Sequence, residues 1–256
     1  MEAFFLPMTG GDRLCVFHSP VQLARGAMLF VHGFAEEMNL SRHMVALQAR
    51  ALADAGYAVL QIDLFGCGDS AGDFGDATWS SWIDDVLAAA AWLRSRADAP
   101  LWFWGLRAGC LLAVQTAARS GEPCNFLLWQ PVLSGETHWR QFLRIRTAAE
   151  AIGGDREDST QAGSVEVAGY RVAVALSSEL ALARLDLPKN TERVVVVEVA
   201  SGQDLSPALA EWVRSGEENR RDIAAAAVAG AAFWQTPDAP DCAALLEATS
   251  RLMGRN

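Results

Sequence analysis

Short apolar runs alternate along this chain with longer stretches whose apolar residues recur every three or four positions. The run Gly26-Ala27-Met28-Leu29-Phe30-Val31 precedes one such stretch, and Tyr57-Ala58-Val59-Leu60-Gln61-Ile62 precedes another. Parallel strands need crossover connections and are buried on both faces, so the alternation predicts a parallel sheet covered by helices. Further strands are expected at 101–104, 125–129, 193–199 and 223–229, and the opening segment, 2–19, turns at Gly10-Gly11-Asp12 as a hairpin at the sheet edge. Leu40, Met44, Leu47 and Ala51 form one helix face, with Gly56 as a left-handed stop. Trp79, Trp82, Val86, Ala89 and Leu93 repeat the stripe behind Thr78 as N-cap, and we read it as core rather than as an aromatic ligand box. Residues 108–118 carry no charge, which predicts a helix buried on most sides and closed by Gly121.

The pattern changes between residues 136 and 190. Residues 138–146 form a basic amphipathic segment, and 153–158 read as a polar, mobile link. We therefore expect a helical cap at 136–190, inserted into a core made of 1–135 and 191–256. Phe142, Leu143 and Ile145 would close over a pocket. Arg140 and Arg144 share a face, which is either solvated or attractive to anions.

Composition narrows the function classes. With 51% hydrophobic and 20% charged residues there is ample material for a core, and disorder is excluded. Twenty-one basic against 31 acidic residues leave a net charge of −10, a field that repels phosphate backbones and anionic membranes, so no nucleic-acid partner is expected. Five cysteines without a CxxC pair suggest neither a disulfide framework nor a zinc site, and fit a reducing cytoplasm. An acid at Glu2 and a proline at Pro7 argue against a secretion signal. The longest uncharged stretch, 223–237, has 15 residues including Gly230, short of the roughly 18–20 that a spanning helix requires, so no transmembrane segment is expected.

Three loops carry the chemistry. Val31-His32-Gly33-Phe34 follows the first parallel strand, Asp63-Leu64-Phe65-Gly66-Cys67-Gly68-Asp69-Ser70 the second, and Gly105-Leu106-Arg107-Ala108-Gly109 the third. In this order the chain resembles the α/β-hydrolase superfamily, where HGx supplies an oxyanion-hole amide, DxxGxGxS is a loop signature and GxSxG is the nucleophile elbow. The resemblance implies a mostly parallel sheet with helices on both faces and a helical cap insertion. More narrowly, residues 34–39, 104–107 and 233–235 are similar to the exosortase-system-associated hydrolase-like proteins, which implies a setting in exopolysaccharide synthesis and protein sorting.

The departures from that pattern concern catalysis. Arg107 stands where the nucleophile belongs, and a guanidinium has no lone pair with which to attack a carbonyl. Cys110, one turn further on, reads as a buried small residue. The base histidine is missing too: Gly230-Ala231-Ala232-Phe233-Trp234 occupies its loop, and no histidine follows His138. Asp204 lies where the acid would be, or else caps the helix beginning near Pro207. His32 is expected to brace its turn. His18, His43 and His138 have no local partner pattern, and no histidine pair has metal-ligand spacing.

What the sequence leaves is a concave site with the Phe34 and Ala108 amides, a helix N-terminus and Arg107, which together could receive an anion. Glu36 and Glu37 are placed to neutralise it, and either could pair with Arg107. Two functions follow. One is a degenerate hydrolase that binds a small anionic, acyl or glycan-related ligand, or a protein partner, through Arg107, Phe34, Ala108 and Glu36. The other is an active hydrolase or acyltransferase using Glu36, Glu37 or Asp204. Neither calls for a cofactor or a metal.

Overall fold

The computed structural model describes residues 1–151 and 163–254, with only the backbone described for 145–151. Strands β1 (Glu2–Met8) and β2 (Gly11–His18) form the expected antiparallel hairpin at one sheet edge. Parallel strands β3 (Gly26–Val31), β4 (Tyr57–Ile62), β5 (Leu101–Leu106), β6 (Cys124–Trp129), β9 (Thr191–Ala200) and β10 (Asp222–Ala229) complete a sheet of order β1-β2-β4-β3-β5-β6-β9-β10. All six predicted parallel strands lie within two residues of their expected ends.

Strand residues alternate between two cores. Leu29, Phe103, Phe126 and Val196 face helices α2 (Trp79–Arg96) and α3 (Ala108–Ser120). Met28, Trp104, Trp129 and Val197 face α1 (Glu36–Asp54) and α7 (Ala243–Met253). The aromatic stripe of α2 is entirely buried, as core, and Thr78 caps it in a reciprocal box with Ser81. Gly121 closes α3 at φ 70°.

The face expected for α1 needs correction. Val45, Ala49 and Leu52 are buried with Met44, whereas Leu40 and Leu47 are only half-buried. Ser41 and Gln48 belong to the buried sector, and counting apolar positions alone passed over these two polar ones.

Between β6 and β9 the chain forms α4 (Gly135–Ala151), the hairpin of β7 (Ser164–Val167) and β8 (Tyr170–Ala173), and α5 (Val174–Leu182). The segment is thus not wholly helical. Its two ends meet where Gly135 N–H donates to Ala183 O at 3.0 Å. Arg140 is exposed and pairs with Glu136 within α4, and Arg144 is exposed, so this face is solvated. Residues 153–158 lie outside the described residues. Among those described, no helix is long and apolar enough to cross a membrane.

Candidate functional site

The site grows from two strained turns at the C-terminal ends of neighbouring strands. Arg107, between β5 and α3, has φ 54° and ψ −120°; Ala35, between β3 and α1, has φ 52° and ψ −127°. Such conformations cost a non-glycine residue about 1–3 kcal/mol each and persist only where the surroundings enforce them. At the first turn the enforcement is glycine packing. A Cβ on Gly109 would lie 2.3 Å from Val31 O and 2.4 Å from His32 O, and one on Gly105 would lie 2.6 Å from Cys110 Cα. The strained backbone of the turn is therefore held by packing, with Arg107 at its tip.

The Arg107 side chain is 12% exposed, and its Nε donates to Glu37 Oε1 at 3.0 Å. The loop placed one of its two glutamates against the guanidinium, as the sequence suggested. The second oxygen of the same carboxylate, Oε2, accepts the Phe34 N–H at 3.2 Å. One half of the expected oxyanion hole is thus engaged by a negative charge belonging to the protein. Ala108 is buried at the first position of α3, where helix N–H groups have no partner within the helix.

Trp234 occupies the loop after β10. The guanidinium carbon of Arg107 lies 5.8 Å from the centroid of its ring, so a cation–π contact stands where a base histidine was sought. Cys110 is fully buried and donates to Trp129 O at 3.7 Å; burial pushes its thiol far up, which keeps it protonated. Asp204 is exposed at a distance from this cluster and does not cap α6 (Pro207–Glu218). The N-cap is Ser206, whose own N–H donates to the buried Glu198 at 2.6 Å.

His32 and the second loop act as braces. His32 Nδ1 meets Gly33 O at 2.7 Å, and Nε2 accepts Leu64 N–H at 3.3 Å, an arrangement that requires the proton on Nδ1. Burial holds this imidazole below its ordinary pKa. Asp63 receives Arg42 at 2.8 Å and Asp69 N–H at 3.3 Å, while Ser70 Oγ links Asp63 O to Leu14 N–H.

A cavity of about 550 Å³ opens over Arg107. Phe34, Leu40, Phe142 and Trp234 supply its apolar wall. Phe142 of α4 packs on Phe34 at 5.1 Å between ring centroids, and Tyr170 closes the far side by donating to Glu36 at 2.6 Å. Glu36 also accepts from Asn39 at 3.1 Å. Burial, then this carboxylate, raises the Tyr170 pKa. Glu36, Glu37, Arg107 and Phe34 therefore converge on one cavity, and Asp204 does not line it. A larger cavity of about 770 Å³ lies between residues 17–24 and 96–98, at the opposite ends of the strands, and carries none of these groups. Ligands of open α/β sheets bind beyond the carboxyl ends of the strands, which favours the first.

One cavity residue was missed in the sequence. His138 of α4 is 4% exposed, its ring stands perpendicular to Phe34 at 5.9 Å, and neither ring nitrogen has a hydrogen-bond partner among the described residues. Burial lowers its pKa, Glu37 opposes that shift, and Arg107 reinforces it. The signal was there: His138 lies one turn before Phe142, on the apolar face of an otherwise basic helix. Among the described residues no group of three His, Cys, Asp or Glu side chains is arranged to hold a metal ion.

The sheet order, the helices on both faces and the strained turn after β5 define an α/β-hydrolase fold. The family model for Serine aminopeptidase, S33 matches residues 22–153, just over half of the chain, and the chain belongs to this family. No curated protein matches it. Among solved structures it is similar to Est1E from Butyrivibrio proteoclasticus bound to ferulic acid, at 17% identity and a TM-score of 0.69 over 98% of both chains. It is also similar to XC6422 from Xanthomonas campestris, described as an a/b serine hydrolase without lid, at 18% identity and 0.59 over 98% of this chain and 92% of that one. Alpha/beta hydrolase domain-containing protein 10 from mouse matches at 15% identity and 0.56 over 99% and 95%. At these identities the likeness is one of fold.

Proposed function

We propose that this protein binds a small molecule in the cavity over Arg107 and does not carry out serine-type acyl transfer there. The observation that carries the reading is the Glu37 carboxylate, held by both Arg107 Nε and the Phe34 N–H. A tetrahedral oxyanion would need that same N–H. Two unit charges about 3 Å apart repel by on the order of 5 kcal/mol at an effective dielectric constant near 20, which would erase most of what an oxyanion hole contributes. Neither Arg107 nor Trp234 can replace a nucleophile or a base.

The same carboxylate argues against an anionic ligand at Arg107, whose charge is already answered. An acyl or glycan-related ligand fits the apolar wall better. The segment 136–190 is proposed as the cap that completes the site, on the packing of Phe142 against Phe34 and the bond from Tyr170 to Glu36. The resemblance to exosortase-system-associated proteins supports a role beside exopolysaccharide synthesis. All five cysteines are unpaired and buried, which supports a cytoplasmic location.

The test is direct. Purified protein is treated with a fluorophosphonate probe and, separately, with short 4-nitrophenyl esters, beside Glu36→Gln, Glu37→Gln and Asp204→Asn variants. No labelling and no turnover above buffer are expected. Stoichiometric labelling of a serine, or turnover abolished by one of the three substitutions, would show an active enzyme instead.

A further inference from the structure

We propose that the molecule held in this cavity is uncharged, with a hydroxyl group and an apolar face, and that His138 recognises the hydroxyl. This rests on the reading that the cavity is a binding site and adds the class of ligand. The charged side chains around the cavity are spoken for, since Arg107 and Glu37 hold each other and Glu36 is held by Tyr170 and Asn39, and the two glutamines on its lining, Gln141 and Gln235, are exposed to water. Two buried groups are not spoken for: the indole Nε1–H of Trp234 and both ring nitrogens of His138 have no partner among the described residues, and of these residues only His138 offers an acceptor as well as a donor. A buried polar group in that state costs the fold stability unless something supplies the missing bonds.

A neutral imidazole offers one N–H donor and one lone-pair acceptor. The two point apart, so one small group meets one of them, and a hydroxyl can meet either, because it donates and accepts and so fits either tautomer. A carboxylate only accepts. It would also enter a site whose described charged groups, Glu36, Glu37 and Arg107, sum to −1 with histidine neutral. The rest of the ligand is specified by the wall: Phe34, Phe142 and Trp234 offer ring faces and edges in a space of about 550 Å³, enough for a molecule of two or three rings.

Three probes of one shape test this: 2-naphthylmethanol, 2-methylnaphthalene and 2-naphthoate, titrated into the full chain and followed by ligand-observed NMR and by the imidazole resonances. With four histidines in the chain, those resonances can be assigned by substitution. The alcohol is expected to bind about fivefold more tightly than the hydrocarbon, the ratio that one net hydrogen bond supplies, and to shift the His138 signals. Naphthoate should bind most weakly. His138→Phe should bind the hydrocarbon as the native chain does and lose the preference for alcohol. His138→Gln, which keeps a donor and an acceptor, should retain it.

Tightest binding of naphthoate, equal binding of all three, or an alcohol preference that survives His138→Phe would overturn this proposal while leaving the cavity a binding site. Binding of none up to their solubility limits would remove the binding reading itself, and this proposal with it. If His138→Phe does not fold, His138→Gln and the imidazole shift decide: an alcohol that binds without moving the His138 signals would equally overturn the assignment.

Discussion

A guanidinium at the N-terminus of α3 meets the positive end of the helix dipole, a placement that costs roughly 0.3–1 kcal/mol even at an exposed position. Glu37 reverses the sign of that environment, and the pair is only 12% and 15% exposed, so each partner depends on the other for its lost hydration. Arg107→Ala should therefore destabilise the fold by on the order of 3 kcal/mol, because it strands a carboxylate beside the elbow. Urea unfolding of Arg107→Ala, Glu37→Ala and the double variant would check this. The double variant should lose less than the sum of the two, and strict additivity would mean that the ion pair contributes no coupling. The histidines set an acid limit. His18, His32 and His138 all have pKa values lowered in the folded chain, chiefly by burial, from the ordinary 6.5. Just below pH 6.5 the unfolded chain binds more protons than the folded one, so stability is full above that pH and falls as pH drops toward the folded values. His138→Leu should flatten this acid slope by up to one proton and hold or raise stability at pH 7, since it removes two unpaired ring nitrogens. An unchanged slope of unfolding free energy against pH would contradict the buried neutral state of His138.

Elements whose burial is uniform were legible from the sequence, and those whose burial depends on a distant partner were not. The six parallel strands, the α2 stripe with its Thr78 cap and the chargeless α3 carry their patterns within ten or twenty residues. The α1 face did not, because the polar Ser41 and Gln48 are buried and Leu40 is diverted to the cavity wall. The β7–β8 hairpin was missed as well; its strands have four residues each, too few for alternation to show. At the site, the sequence offered Glu36 or Glu37 as the partner of Arg107, and the structure selects Glu37. The sequence did not show that the same carboxylate takes the Phe34 N–H, nor that Trp234 stacks on the guanidinium, since both depend on how three separate loops meet. Two substitutions separate local from assembled contributions. Thr78→Ala removes one half of a capping box and should cost about 1 kcal/mol. Gly109→Ala drives a Cβ into the carbonyls of Val31 and His32, backbone atoms that cannot swing aside, and should cost about 3 kcal/mol, the upper end for overpacking. Chemical denaturation midpoints would rank them, and a Gly109→Ala loss no larger than that of Thr78→Ala would show that the elbow is not pinned between β3 and β5.

Across the whole molecule, the positions that a Ser-His-Asp mechanism would draw on follow four separate strands: Arg107 after β5, Glu37 in the first turn of α1 after β3, Trp234 after β10 and the acid position after β9. Triad groups act as a unit, and losses among them are strongly non-additive, so restoring one member recovers little of the rate. Arg107→Ser puts an alcohol at a turn that keeps its strained backbone, but no oriented imidazole stands there to take the proton: His32 is committed to Gly33 and Leu64, and the ring nitrogens of His138 have no bonded partner among the described residues to orient them. Glu37 offers only a carboxylate, a weaker base than an imidazole. The Glu37 carboxylate, freed from Arg107, would still face the Phe34 N–H and oppose an oxyanion. We therefore expect Arg107→Ser to hydrolyse 4-nitrophenyl butyrate no faster than buffer, and Arg107→Ser/Glu37→Ala, with the N–H free but no base, to remain within about tenfold of that background. Turnover by the single variant at the rate of an ordinary esterase would mean that a base reaches position 107 from elsewhere in the chain, and the Glu37 carboxylate would then be no barrier to acyl transfer.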